Sequence, residues 1–334
     1  VEGANLHNLK NIDVRFALQK LNVLTGVSGS GKSSLLKGVL TRNLKELIQK
    51  TVNPKTKLMS DLYYCKKISC WENFDKILEV DQSPIGKTPR STPTTYINIW
   101  DNIRKIYAES NVAKTKGWNA SHFSYNSGDG RCQICKGLGV ESVQMNFLPN
   151  VSVKCESCDG NRFEQEIRSA FWQGKSISDV LNMSVDTACD FFGGHKKIHR
   201  GLELMSSFGL GYLRLGQPSS TLSGGEAQRL KLIAELQKAK NSEKTLYIFD
   251  EPTIGLHMAD VKNLISIFKR LVEMGNTLIV IEHNTDMWME ADWIIELGPE
   301  GGDGGGVLVS ENTPNKVQNK KTATGKILKS LVTD

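Results

Sequence analysis

The sequence predicts an α/β fold: a parallel sheet with a phosphate-binding loop at one edge, and a separate module inserted between two parts of that sheet. Three observations favour this fold. A glycine-rich segment at 26–33 follows an apolar run, and two later apolar runs at 246–249 and 277–281 each end in polar residues. Four cysteines lie in two close pairs between the glycine-rich segment and the later runs. Parallel sheets bind ligands at the carboxyl ends of their strands, so the polar residues are candidates for a site.

The glycine-rich segment has the sequence of a phosphate loop. Residues 26–33 read Gly-Val-Ser-Gly-Ser-Gly-Lys-Ser and fit G-x-x-x-x-G-K-[ST], between a predicted strand at 21–25 and a predicted helix at 33–40. Glycines let backbone amides face phosphate oxygens, and the helix N-terminus adds its positive end. A turn that merely joins a strand to a helix is the alternative. The expected nucleotide contacts are Gly26, Ser28, Gly29, Ser30, Gly31, Lys32, Ser33 and Ser34, with Lys32 at the β- and γ-phosphates and Ser33 on Mg²⁺.

Charged and polar residues follow the two later apolar strands. Asp250 and Glu251 end the first of them, which predicts that Asp250 holds Mg²⁺ and that Glu251 orients and polarises the attacking water. Phosphoryl transfer depends mainly on positioning and charge stabilisation, and these side chains supply both. The strand at 277–281 ends in Glu282 and His283. We expect His283 to act at the γ-phosphate; a packed surface histidine is the alternative.

The four cysteines between the phosphate loop and these strands have the spacing of a metal site. Cys132, Cys135, Cys155 and Cys158 form C-x2-C-x19-C-x2-C, and four thiolates suit one tetrahedral, structural zinc with no open position for catalysis. Two disulfides or four free thiols are the alternatives. The total of seven cysteines is odd and the sequence contains no signal peptide or membrane segment, which favours a reducing, cytoplasmic compartment without membrane partners.

Composition adds a modest indication of nucleic-acid binding. The formal net charge is +6, which is mild for such a protein. Basic residues concentrate around the cysteine pairs, with Trp118, His122 and Phe123 among them, and this suits contacts to DNA phosphates rather than to bases. A solvated, lysine-rich face is the alternative. The DNA-binding candidates are Lys114, Lys116, Arg131, Lys136 and Arg162.

The order of the motifs resembles the ATP-binding cassette (ABC) superfamily. Between the phosphate loop and the Asp-Glu strand lies the string Leu-Ser-Gly-Gly-Glu at 222–226, which resembles the signature of that superfamily. The resemblance implies that Ser223, Gly224, Gly225 and Glu226 complete the ATP site of a second cassette in a head-to-tail pair. It also implies that Gln82, in the string Val-Asp-Gln-Ser-Pro-Ile-Gly at 80–86, senses magnesium and the attacking water.

Longer strings resemble one family, the UvrA proteins, which are the ATP-dependent damage-recognition subunit of the bacterial excinuclease ABC. The strings lie at 3–11, 81–91, 145–149, 222–229 and 297–306, and the resemblance covers nearly the whole chain. It corresponds to the second half of such a protein, without the first cassette and the UvrB-binding and insertion domains. Residue 1 is Val, compatible with a trimmed tail of a longer chain or with a stand-alone half.

The resemblance implies an ATP-hydrolysing subunit that engages damaged DNA in nucleotide excision repair and is not itself the nuclease. The partner cassette is then the missing half or a second copy, and recruitment of UvrB is left open. One departure bears on DNA binding. The family stretch Asn-Val-Lys-Gly-Gly-Arg-Cys reads Asn-Ser-Gly-Asp-Gly-Arg-Cys at 126–132, so the loss of a lysine at Gly128 and the gain of Asp129 are expected to weaken phosphate binding or to change what is bound.

Three alternative functions fit parts of this pattern. A UvrA-like paralogue in drug self-resistance, or in another DNA transaction without UvrB, fits the same motifs. The zinc module argues against a transporter cassette. The presence of Lys32, Asp250, Glu251 and His283 argues against a zinc scaffold that does not hydrolyse nucleotide.

The landmarks predict four segments. Residues 1–85 are the first lobe of the cassette, 86–200 the inserted signature-domain module with the zinc site, 201–315 the rest of the cassette, and 316–334 a mobile basic tail. Within them the patterns predict helices at 40–50, 97–110, 184–192 and 225–238, a loop at 53–56 and a tight turn at 301–306.

Overall fold

The computed structural model describes residues 1–52, 61–81, 83–86, 88, 90–143, 151–238 and 244–333. The chain forms two compact units, one from Val1–Gln82 and Ala239–Asp334 and the other from Ser83–Lys238. This division differs from the predicted one, because residues 201–238 belong with the inserted module rather than with the sheet. Gln82 and the predicted loop at 53–56 lie outside the described residues.

The described strands are labelled in chain order. They are β1 (Leu21–Gly26), β2 (Lys76–Val80), β3 (Val140–Val143), β4 (Val151–Lys154), β5 (Phe171–Trp172), β6 (Lys175–Ser176), β7 (Thr245–Asp250), β8 (Thr277–Ile281), β9 (Trp293–Gly298) and β10 (Val307–Asn312).

The described α-helices are also labelled in chain order. They are α1 (Arg42–Val52), α2 (Pro93–Tyr96), α3 (Trp100–Ala108), α4 (Asn111–Lys116), α5 (Gln165–Arg168), α6 (Ile177–Asn182), α7 (Val185–Phe191), α8 (Lys196–Met205), α9 (Gly224–Lys238), α10 (Met258–Glu273), α11 (Thr285–Met289), α12 (Pro314–Val317) and α13 (Ala323–Thr333). Wider π-helical segments occur at Ser34–Thr41 and Ser206–Leu210, and 3-10 turns at Trp71–Asn73, Ser219–Thr221 and Gly302–Gly304.

A six-stranded sheet forms the centre of the first unit. Its order is β10-β9-β1-β8-β7-β2, and every neighbouring pair is parallel except β10 with β9. All five residues of β8 are buried, as expected for a strand covered on both faces. The α/β class predicted from the apolar runs is confirmed, because those runs form the central strands of this sheet.

The last residues of the chain form ordered structure in the first unit, where the sequence predicted a mobile tail. Val317 at the end of α12 and Leu328 in α13 are fully buried. The backbone N–H of Thr324 donates a 3.0 Å hydrogen bond to Oε1 of the buried Glu296 on β9. The tail is therefore held by a few buried side chains and a carboxylate, although most of its residues are charged or polar.

The second unit is mainly helical and carries a short hairpin. Its buried core includes the rings of Tyr107, Phe123, Tyr125 and Phe163. Strands β3 and β4 pair in antiparallel fashion, with Val140 opposite Lys154. Among the residues that the structure describes in both units, no helix has the length and apolarity needed to cross a bilayer.

Candidate nucleotide-binding site

The register of the sheet places the predicted catalytic segments at one edge of the first unit. Leu24 of β1 pairs with Ile281 of β8, and Ile281 pairs on its other side with Asp250 of β7. Three strands therefore end level with one another. The phosphate loop, the pair Asp250 and Glu251, and the pair Glu282 and His283 all leave the sheet at this edge.

Lys32 is held inside the phosphate loop. Its Nζ donates hydrogen bonds to the carbonyl oxygens of Gly26 at 2.7 Å and Val27 at 2.8 Å. The residue is only 8% exposed, and this burial lowers the pKa of Lys32 although the charges of Glu251 and Asp250 act in the opposite direction. The ammonium group is thus fixed by loop backbone and lies within the electrostatic influence of both carboxylates.

Asp250 is bound by a lysine that the sequence interpretation missed. Nζ of Lys37, in the π-helical segment after the loop, lies 2.5 Å from Oδ2 of Asp250. Burial acts to lower the pKa of Lys37, but its hydrogen bond with Asp250 and the charge of that residue outweigh burial and raise the pKa. A basic residue five positions after Lys32 is the only sequence signal that could have indicated this contact.

Glu251 and His283 face each other across the sheet edge. Nε2 of His283 lies 3.7 Å from Oε1 of Glu251, and the side chains are 47% and 37% exposed. The backbone N–H of Glu251 donates to the carbonyl oxygen of Ile281 at 2.9 Å, and Glu251 has a positive φ of 48°. Residues other than glycine rarely adopt this backbone conformation. Here the hydrogen bond to the end of β8 holds it, and Glu251 lies beside the loop that follows β8.

Glu282 connects the two loops that carry Glu251 and His283, and the sequence interpretation gave it no role. It is 2% exposed. Its Oε1 accepts from the N–H of Thr253 at 2.9 Å, and its Oε2 accepts from the N–H groups of His283 at 2.8 Å and Asn284 at 3.1 Å. A buried carboxylate that satisfies three backbone donors fixes both loops, so Glu282 is a positioning residue.

A glycine-rich turn supports the phosphate loop from the other side. The sequence predicted a tight turn at 301–306, and the structure shows that it contacts the phosphate loop. Gly302 N–H donates to Gly29 O at 3.1 Å, and Gly306 N–H donates to Ser30 O at 3.2 Å. Nδ2 of Asn8 donates to Gly29 O at 2.9 Å and to Gly302 O at 3.0 Å. The carbonyls of the phosphate loop are therefore held, and this fixes the backbone that is expected to bind the phosphates.

Gly306→Ala is expected to weaken nucleotide binding by about tenfold or more, because a Cβ at this position would displace the support of the loop. Gly306 has φ 76°, and its Cβ would lie 1.8 Å from the carbonyl oxygen of Asn8. Gly302→Ala is the matched control, since Gly302 has φ 60° and no atom within 4 Å of a Cβ. Both variants carry similar backbone strain, but only Gly306→Ala places a Cβ against the carbonyl oxygen of Asn8. Calorimetric titration with an ATP analogue measures the nucleotide affinity of both variants. Equal losses of affinity would contradict the role of the turn at 301–306 in supporting the phosphate loop.

The predicted signature loop lies in the second unit, at the start of α9. Ser223 N–H donates to Oε2 of Glu226 at 2.6 Å, and Glu226 N–H donates to Oγ of Ser223 at 3.3 Å, which is a capping box. The hydroxyl of Tyr212 donates to Oε1 of Glu226. Burial and this hydrogen bond raise the pKa of Tyr212 to about 12. Glu226 therefore shapes its own loop and leaves Ser223 exposed at the helix N-terminus.

The four predicted zinc ligands come together in the second unit. Cys132, Cys135, Cys155 and Cys158 are buried, and their sulfur atoms all lie within 4.8 Å of one another. The sulfurs of Cys135 and Cys158 are 3.7 Å apart. A tetrahedral zinc with Zn–S bonds of about 2.3 Å requires sulfur separations of about 3.8 Å, so the donor set fits that metal. All seven cysteines are free of disulfides, which removes the disulfide alternative for this structure.

The DNA-binding candidates divide into two groups. Lys114, Lys116 and Lys136 are exposed. Arg131 instead donates from Nη1 to the carbonyl oxygen of Asn126 at 2.5 Å. The guanidinium of Arg162 donates to Gly216 O at 2.7 Å and lies 5.4 Å from the centre of the Tyr125 ring.

Both arginines thus hold loops of the second unit, and burial lowers the pKa of Arg162. Their predicted contact with DNA stays a prediction. Gly128, where the family has lysine, also has a local structural role. A Cβ there would lie 1.8 Å from the carbonyl oxygen of Ser121. The loop in its present conformation therefore has no room for the lysine side chain.

Comparison with known proteins shows what the chain resembles over nearly its whole length. A scan against protein-family models finds no match. The chain is 47% identical over 333 residues to UvrABC system protein A of Staphylococcus aureus (strain COL), which covers 99% of this chain and 34% of the relative. It is 50% identical over 330 residues to UvrABC system protein A of Aquifex aeolicus (strain VF5), covering 98% and 35%. The resemblance to the UvrA family that the motifs predicted is confirmed over nearly the whole of this chain.

A solved structure supports the same assignment. The crystal structure of UvrA2 from Deinococcus radiodurans is 40% identical, with a TM-score of 0.86, and the match covers 98% of this chain and 39% of that one. The predicted UvrA-type fold, an ATPase cassette with an inserted module, is thereby confirmed. The chain spans about a third of the length of the curated relatives it matches.

Proposed function

We propose that this UvrA-type segment binds and hydrolyses ATP and couples that cycle to engagement of damaged DNA in nucleotide excision repair. The observation that supports it most is the meeting of the phosphate loop, Asp250, Glu251 and His283 at one sheet edge. The relatives named UvrABC system protein A favour this function over a specialised paralogue. A reducing, cytoplasmic setting is part of the proposal, since all seven cysteines are free.

In the proposed site each residue has one task. The phosphate loop binds the phosphates of ATP through its N–H groups, with Lys32 at the β- and γ-phosphates. Ser33 and Asp250 supply the hard oxygen donors that Mg²⁺ prefers, and the metal when bound neutralises phosphate charge. Glu251 polarises the attacking water, and His283 contacts the γ-phosphate. Gln82, outside the described residues, keeps its proposed role as a sensor of the metal and the water.

The signature loop is proposed to act on a second cassette, either the other half of a longer UvrA-type protein or a second copy of this chain arranged head-to-tail. Ser223 is exposed at the N-terminus of α9, a helix of 15 residues. A helix N-terminus with exposed N–H groups is suited to an anion such as the γ-phosphate. The capping box with Glu226 holds this loop ready before a partner arrives. We assign no UvrB contact to the described residues.

In the second unit, the proposed zinc holds the module and the exposed lysines contact the DNA backbone. The reversal of charge at Lys114, Lys116 and Lys136 together is expected to lower affinity for every duplex, intact or damaged, because a phosphate that is no longer neutralised keeps its counterions. Since three lysines no longer neutralise phosphates, the slope of log K against log salt should flatten by about 2 to 3.

Fluorescence anisotropy with intact and lesion-bearing duplexes at several salt concentrations measures this effect. The matched control reverses three exposed lysines of the first unit, Lys262, Lys316 and Lys326, which changes the net charge equally. An equal loss of DNA affinity in both triple variants would show that the effect arises from net charge and not from these three lysines. Salt-independent binding by the unaltered protein would argue against backbone contacts altogether.

A further inference from the structure

Lys37 lies among acidic residues at the nucleotide edge of the first unit. Its ammonium is 2.5 Å from Oδ2 of Asp250, with the two side chains 40% and 29% exposed. Glu79 and Asp81, at the end of β2, add negative charge around it. The ion pair of Lys37 and Asp250 is exposed enough for the two side chains to separate, and it is buried enough to hold a defined geometry. It also lies in a π-helical segment, a helix type that is frequent at functional sites.

The ion pair with Lys37 has two consequences for Asp250. An ammonium 2.5 Å from Oδ2 of Asp250 repels a Mg²⁺ ion that binds the same carboxylate, so the two cations compete for Asp250. Before the metal arrives, Lys37 neutralises a carboxylate that would otherwise repel the phosphates of the nucleotide. Lys37 therefore opposes the binding of the metal and assists the binding of metal-free nucleotide.

We propose that Lys37 is a resident counter-cation of Asp250 which Mg²⁺ displaces, so that this side chain sets the magnesium concentration at which the site is filled. The inference rests on the proposed nucleotide function and adds a positioning residue to it. The inference predicts that Lys37 strengthens the binding of metal-free nucleotide and weakens the binding of Mg²⁺. A merely structural role would move both in the same direction or neither.

The test uses Lys37→Met and Lys37→Gln, two neutral variants that differ in polarity, with circular dichroism to confirm that each is folded. Binding of a fluorescent ADP analogue is measured first in EDTA and then as a function of added Mg²⁺. In EDTA we expect binding to weaken by about two- to fivefold, the range for a partly exposed ion pair. In the titration the half-saturating Mg²⁺ concentration should fall by about the same factor.

Two control variants isolate the pair. Lys37→Arg keeps a cation beside Asp250 and should behave as the unaltered protein in both measurements. Lys45→Met removes another cation of the same helical stretch, one whose Nζ lies 2.9 Å from Oε2 of Glu79. It should shift neither measurement, which separates the pair from a general loss of positive charge.

The outcomes distinguish this inference from the function on which it rests. If the unaltered protein binds no nucleotide in either condition, the proposed function fails. If it binds nucleotide but the neutral variants shift neither measurement, or Lys45→Met shifts them equally, Lys37 is not a counter-cation. A loss of hydrolysis with unchanged Mg²⁺ dependence would assign Lys37 to the chemical step and overturn the inference.

Discussion

Glu251→Gln is expected to abolish steady-state ATP hydrolysis while nucleotide binding persists. The substitution keeps the shape of the side chain and removes the charge that polarises the attacking water, and Asp250 is left to bind the metal. Loss of a single preorganised electrostatic group typically lowers kcat by about 10²- to 10³-fold. Oε1 of Glu251 lies 3.7 Å from Nε2 of His283, so the substitution also removes the negative charge beside that imidazole.

Phosphate release and nucleotide affinity should be measured side by side on the same preparations. Glu273→Gln is the matched control, because Glu273 is an exposed residue at the end of α10 and the substitution is chemically identical. We expect the control to retain full turnover. Hydrolysis by Glu251→Gln within a few-fold of the unaltered rate would remove Glu251 from the catalytic role and point to another base.

The sequence was sufficient to predict which segments meet at the nucleotide edge. Buried parallel strands end level with one another, so polar residues that directly follow them must lie close together. Asp250, Glu251 and His283 are placed by this rule alone. The strands at 21–25 and 277–281 could also be located from the sequence, because both runs are mainly apolar and each is followed directly by glycine or polar residues.

The supporting contacts could not be predicted in the same way. Lys37 with Asp250, and Glu282 with Thr253, join residues on different elements, and each pairing depends on side-chain direction rather than on spacing. The same limit applies to the local contacts of Arg131 and Arg162. A charge count cannot show that each of these guanidinium groups also donates a hydrogen bond to a backbone carbonyl of its own unit.

The four-cysteine cluster joins two pairs of residues that have 19 residues between them in the sequence, and it is the most predictable part of the second unit. Thiolates are expensive to bury close together unless a metal binds them, so four cysteines in two close pairs have few other uses. The structure brings the sulfurs within 4.8 Å of one another. In zinc-binding peptides, the free energy of metal binding is about 10 to 16 kcal/mol near neutral pH and appears directly as folding free energy.

The purified protein is therefore expected to contain one zinc ion per chain, and Cys155→Ser is expected to lose it. Removal of one thiolate leaves three ligands and destabilises the segment around 132–158, while the sheet unit continues to bind nucleotide because it has its own core. Elemental analysis gives the stoichiometry, and hydrogen exchange locates the loosened segment. Cys189→Ser, in the same unit but outside the cluster, should keep both zinc and protection. Zinc-free native protein, or a Cys155→Ser variant with full metal content, would contradict the assignment.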